Sequence, residues 1–224
     1  MQKSPIFKLF LSIFLISCTH SQIEKLITEE EILYEQGNYK EAIKKLDEVI
    51  KRDPKNAGAY INRGANKSAL EDFESANSDY QKALELIPNN RLALFNIGNN
   101  FKKLGKSDLA VENYNKALKV KGGQQIFVEF VPNENTELFE FYVPTYQIAY
   151  ERGMAYYDLG ELGYAFQDFN YALENNFEAA NCHYFLGLVY YSGEQKDKAC
   201  DEFNLAKQLN DKDAEKAFQR YCTD

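Results

Sequence analysis

Residues 57–90 read AGAYINRGANKSALEDFESANSDYQKALELIPNN, and residues 91–124 read RLALFNIGNNFKKLGKSDLAVENYNKALKVKGGQ. Laid over one another, Gly64 and Gly98, Leu70 and Leu104, Ala76 and Ala110, Tyr80 and Tyr114, and Ala83 and Ala117 fall in step. The pattern returns around Ala42, Ala165 and Ala199, so the five alanines are separated by 34, 34, 55 and 34 residues. A 34-residue unit therefore recurs five times, with one insertion between its third and fourth copies. A fixed period of this size marks a repeat array, in which no unit buries its apolar face alone and each stacks on a neighbour.

Within each unit the apolar positions keep helical spacing, broken once, which predicts two helices joined by a tight turn. Gly64 and Ala76 let two helix backbones approach closely, and Tyr80 fills the space beside them. Pro54 and Pro88 stop the second helix. Gly153, Tyr156, Gly160, Ala165, Phe169 and Ala172 repeat the template, as do Leu186, Gly187, Tyr190, Ala199, Phe203 and Ala206. The first unit keeps Gly37, Tyr39, Ala42, Leu46 and Pro54, but Glu30 stands where later units have Gly.

These residues resemble the tetratricopeptide repeat (TPR), and the resemblance covers residues 23–124 and 146–213. It implies an all-α, right-handed superhelical solenoid of five helix-turn-helix repeats, three before and two after the insertion. Residues 214–224 are expected to form a capping helix, Ala214 to Tyr221. The resemblance also implies a non-enzymatic scaffold that holds protein or peptide partners.

Residues 1–17 stand apart. Lys3 and Lys8 give a positive start, and Leu9 to Ile16 is an apolar run broken only by Ser12. That run is too short for a stable membrane span and reads as a secretory signal. It ends in Leu15-Ile16-Ser17-Cys18, which resembles the lipobox of bacterial lipoproteins. The resemblance implies lipidation of Cys18 and a bacterial cell-envelope address, the outer membrane foremost, on its periplasmic or surface face. A plain signal peptide with a coincidental cysteine is the alternative, followed by an uncleaved helical anchor. Residues 18–22 form the tether, and the four after Cys18 reach at most ~14 Å when extended.

Without residues 1–17 the chain carries 24 basic against 34 acidic residues, a net charge of −10. That is the wrong sign for a nucleic-acid binder. It also offers no attraction to anionic lipid head groups, so membrane attachment would rest on the acyl chains.

The insertion, residues 125–145, breaks the helical period. Gln125 to Val131 and Glu137 to Val143 are rich in β-branched and aromatic residues, and Pro132-Asn133-Glu134-Asn135 supplies turn chemistry between them. This predicts a β-hairpin. Two readings stand. The hairpin fills a gap between units three and four, or it offers Phe127, Phe130, Phe139, Phe141 and Tyr142 and a free edge to a partner or to a second copy. Self-association through that edge would make a structural envelope protein.

Arg63 precedes Asp79 by 16 residues, and Arg152 precedes Asp168 by 16. An Arg–Asp bridge between the two helices is expected in units two and four. Units with Ile97 or Leu186 in place of Arg carry Asn113 or Glu202 in place of Asp. The partner acid lies inside the same unit, which favours a structural bridge over a grip on a ligand carboxylate.

In tetratricopeptide arrays the first helix of each unit lines a groove. Carried across, the groove positions are Tyr34, Ile61, Phe95, Asn99, Tyr150, Tyr157, Tyr184 and Tyr191. The four tyrosines 150, 157, 184 and 191 are the best candidates for a peptide surface, because a phenol offers both area and a hydrogen bond. Packing is the competing role. Some family members grip a C-terminal carboxylate through Lys, Asn and Arg. Those positions here are Ile27, Glu31, Asn62, Leu92 and Asn96, of which only one matches.

Cys182, Cys200 and Cys222 remain beside Cys18. In an oxidising envelope, Cys200–Cys222 would staple the capping helix, while Cys182 packs as a small apolar residue. Three reduced cysteines are the alternative. The sequence offers no phosphate loop, no nucleophile with a plausible base, no cofactor motif and no metal-ligand spacing; Cys182 and His183 are merely adjacent. Catalysis is not expected.

Overall fold

The computed structural model describes residues 5–120 and 143–223, with side chains from His20 onward. Eleven helices form among these residues: α1 Pro5–Glu35, α2 Tyr39–Arg52, α3 Ala57–Ala69, α4 Phe73–Leu86, α5 Arg91–Lys103, α6 Ser107–Lys119, α7 Thr145–Asp158, α8 Leu162–Glu174, α9 Ala179–Ser192, α10 Lys196–Gln208 and α11 Lys212–Cys222. They fall into two compact units, one up to Asn96 and one from Ile97.

In the first unit α1 packs on α2, α2 on α3 and α3 on α4. In the second, α6 packs on α7, and α7 to α11 each pack on the next in sequence. The five alanines of the repeat are fully buried where paired helices cross. Each turn between paired helices has one residue in the left-handed region: Gly37, Gly105 and Gly160, and at the same register Glu71 and Glu194. Asn56 and Asn90, one repeat period apart, accept the backbone N–H of Ala59 and Ala93 at 2.9 Å and so start α3 and α5.

The glycines at helix crossings are explained by the ring opposite. A Cβ on Gly64 would lie 2.7 Å from Tyr80 Cε1, and one on Gly187 2.5 Å from two ring carbons of Phe203. In the first repeat the ring is replaced by Leu46, which is fully buried and smaller. Glu30 occupies the glycine position there and reaches α3.

Two expectations meet different outcomes. The β-hairpin over 125–145 lies outside the described residues except at its end, and that end is not strand. Val143 is buried, Pro144 sits at φ −60° as the residue before α7, and Thr145 is already helical. Among the described residues there is no strand, and their architecture is all-α. The capping helix begins at Lys212, two residues earlier than expected, because Asp211 accepts the backbone N–H groups of Asp213 and Ala214. The partner-facing aromatics Phe127, Phe130, Phe139, Phe141 and Tyr142, and the side chain of Cys18, also lie outside the described residues.

Candidate functional site

In the first unit the expected groove positions divide. Tyr34 is 43 % exposed and meets Tyr39 edge-on at 5.4 Å. Ile61 and Phe95 are buried. They are core side chains, because an apolar group at this register is drawn under the neighbouring helices and gains ~1.5–3 kcal/mol by leaving water.

The same holds for part of the second unit. Tyr150 is buried, with ring centroids 6.1 Å from Phe169 and 5.5 Å from Phe177. Burial pushes its hydroxyl above the ordinary tyrosine range. Asn99 spends its side-chain oxygen on the Tyr114 hydroxyl, at 2.7 Å.

Three tyrosines stay partly open. Tyr157 is half-buried against Phe185 at 5.4 Å, and Tyr184 meets Phe185 at 5.3 Å and Phe203 at 6.1 Å. Tyr191 is 42 % exposed and lies 4.3 Å from the ring of Tyr221. Tyr221 belongs to α11 and was not among the expected groove residues, because the repeat register stops before the capping helix. Burial, then the field of Tyr221 and Asp158, raises the Tyr157 hydroxyl. Burial, then Asp213 first among its neighbours, raises that of Tyr184. These four side chains from α7, α9 and α11 form one aromatic face.

A disulfide joins Cys200 to Cys222 and holds the end of α11, next to Tyr221, on α10. Cys182 is free and buried, its Sγ donating to the Phe177 carbonyl at 3.4 Å, and burial pushes its thiol up to about 12. It is a packing residue rather than a nucleophile.

Arg63 donates through Nε and Nη2 to the two oxygens of Asp79, at 2.9 and 2.6 Å. Arg152 does the same with Asp168, at 2.8 and 2.7 Å. Each arginine also reaches back to the second helix of the preceding repeat, Arg63 to Asp47 and Arg152 to Asn115, both at 2.6 Å. These are tie points of the stack. In the fifth repeat Glu202 meets His183 at 2.6 Å, one turn before the position that Leu186 occupies. Among the described residues no three His, Cys, Asp or Glu side chains are grouped to hold a metal ion, and no helix is long and apolar enough to cross a membrane.

Comparison with known families places matches along the array. A model described as TPR repeat matches residues 31–66, and models described as tetratricopeptide repeat match residues 57–90, 93–123 and 150–214. Solved structures share the fold. MamA (41-end) from Desulfovibrio magneticus RS-1 superposes with a TM-score of 0.69 at 17 % identity, covering 84 % of this chain and 95 % of that one. YrrB, described as a repeat protein with an unusual peptide-binding site, gives 0.66 at 19 %, covering 87 % and 90 %. The pilF protein of Pseudomonas aeruginosa gives 0.66 at 16 %, covering 85 % and 77 %.

Proposed function

Because this chain belongs to the tetratricopeptide repeat family, we propose that it is a protein-interaction scaffold that binds a peptide segment on the tyrosine face of α7, α9 and α11. The observation that carries this reading is Tyr191, a large aromatic side chain left 42 % exposed beside Tyr221. Tyrosine contributes wide contact area at low entropic cost, and its hydroxyl can bond a peptide backbone. One fold relative, YrrB, is itself described as having a peptide-binding site.

The scaffold is tethered through lipid on Cys18 to a bacterial envelope membrane, the outer membrane foremost. Support comes from the positive start, the short apolar run and Leu15-Ile16-Ser17-Cys18. Its role is to hold partner proteins at that surface.

A photo-crosslinking residue placed at Tyr191 in the native envelope should capture a protein that the same residue at Leu205 of α10 does not. Equal capture at both positions, or none at Tyr191, removes the tyrosine face as the binding surface. Metabolic labelling with palmitate should mark the chain and be lost in Cys18→Ser; labelling that survives the substitution rejects the anchor.

A further inference from the structure

The charge of the chain is not evenly spread. Residues 143–224 hold seven basic against fourteen acidic residues, so this stretch carries −7 of a total of −8. Three of its carboxylates, Asp158, Asp211 and Asp213, lie close enough to the tyrosine face to act on Tyr157 and Tyr184. Asp213 has a cation already, Lys216 at 2.9 Å. Asp158 accepts the Ser107 hydroxyl and makes no ion pair among the described residues; Asp211 accepts backbone N–H groups and shares the field of Lys216 with Asp213.

Aromatic rings in this part of the chain already take cations. Arg152 lies over Tyr156 at 5.5 Å, Lys198 over Tyr190 at 5.3 Å and Arg220 over Tyr221 at 5.3 Å. Cation–π attraction is strongest where a ring face is partly shielded from water, which describes half-buried tyrosines.

Resting on the peptide-binding reading above, we propose that the occupant of the tyrosine face is a basic segment of a partner protein. Its Lys or Arg side chains lie across Tyr157, Tyr184 and Tyr191, and their charges meet Asp158 and Asp211. This is the opposite selectivity to a groove that grips acidic chain ends with Lys and Arg. Complementary charge of this kind sets partner choice and speeds association, and it weakens with salt.

The test uses the full chain and two fluorescent ten-residue peptides of Gly and Ser, one carrying four Lys or Arg residues and its twin four Glu residues at the same places. Anisotropy titration should show the basic peptide binding at least tenfold more tightly, with affinity falling as salt rises. Tyr191→Ala, at an exposed site that leaves the fold intact by circular dichroism, should weaken it at least fivefold. Asp158→Asn should weaken it and flatten the salt dependence. Equal affinity for the two peptides overturns the proposal. So does basic-peptide binding that Tyr191→Ala leaves untouched, since that is attraction to the acidic chain at large. If a crosslinker at Tyr191 captures a partner while the basic peptide does not bind, the peptide surface stands and its basic selectivity falls. If neither occurs, both fall.

Discussion

Lys45 meets Glu29 at 2.7 Å, in the register where Arg63 meets Asp79, with the two charges exchanged. The first repeat therefore keeps the bridge between paired helices and reverses its polarity. The two sites differ in setting. Glu29 and Lys45 are each about one-third exposed, whereas Asp79 and Asp168 are buried. An exposed pair is worth ~0–1 kcal/mol, while removing one partner of a buried pair leaves a stranded charge.

That difference ranks three substitutions. Arg152→Ala strands Asp168, whose only described cationic partner it is, and should cost about 2–3 kcal/mol. Arg63→Ala leaves Lys67 at 2.7 Å from Asp79 and should cost about half as much. Lys45→Ala should stay close to the parent, because water screens that pair. Urea denaturation of the three variants checks the order, and an Arg63→Ala loss equal to that of Arg152→Ala contradicts it.

Glycine at the helix crossings yields to the ring opposite. Ala is the better helix former by ~1 kcal/mol, but a Cβ 2.5 Å from the fully buried ring of Phe203 forces repacking. Gly187→Ala should lose about 1–2 kcal/mol net. At Gly153 the nearest atoms stand at 3.1 Å, so Gly153→Ala should be close to neutral. Thermal melts of the pair distinguish them.

Glu30 is buried, accepts the side-chain amides of Asn66 at 2.7 Å and Asn62 at 3.2 Å, and faces no cation among the described residues. Burial outweighs those hydrogen bonds and raises its carboxyl above the ordinary value of 4.5. Between that value and the raised one the folded state binds more protons than the unfolded, so this group adds stability as pH falls through the window. It opposes folding above it. Glu30→Gln should remove this part of the pH dependence and be at least as stable as the parent at pH 7. Denaturation at pH 5 and pH 7 measures the change; an unaltered slope would refute it.

The Cys200–Cys222 bridge closes a loop of 22 residues, which constrains the unfolded chain by about 3 kcal/mol. In a repeat array the effect stays near the end that is stapled. Cys222→Ser should raise amide hydrogen exchange in α11 and leave α1 to α4 unchanged.

The last prediction concerns residues 122–142. Arg152 reaches Asn115 across 37 residues, and with the span 122–142 discounted this becomes the separation of Arg63 from Asp47. Excision of residues 122–142 would leave four residues between α6 and α7, the number that joins α2 to α3 and α4 to α5. The excised protein should fold with a melting temperature within a few degrees of the parent. A collapse of stability would mean that the inserted residues support the stack.

The repeat, its helices and the Arg–Asp spacings were legible in the residues because they depend on contacts that recur with the period of the array. Periodicity says nothing of what occurs once. Ile61, Phe95 and Tyr150 stand at groove register, yet they are buried, because exposure depends on which neighbouring helix covers them. The reversed pair Glu29–Lys45 and the displaced His183–Glu202 pair both depart from the template and were missed.

The sequence by itself determined the unit, its register, the buried alanines and the glycines that a ring demands, since each follows from local spacing and side-chain size. Only the tertiary structure decided which tyrosines remain in water. Tyr221 comes from outside the repeat to stand against Tyr191, and Asp158 at the end of α7 and Asp211 before α11 both act on that face. The reason is physical: a surface is what packing leaves uncovered, and packing joins residues that are far apart in the chain.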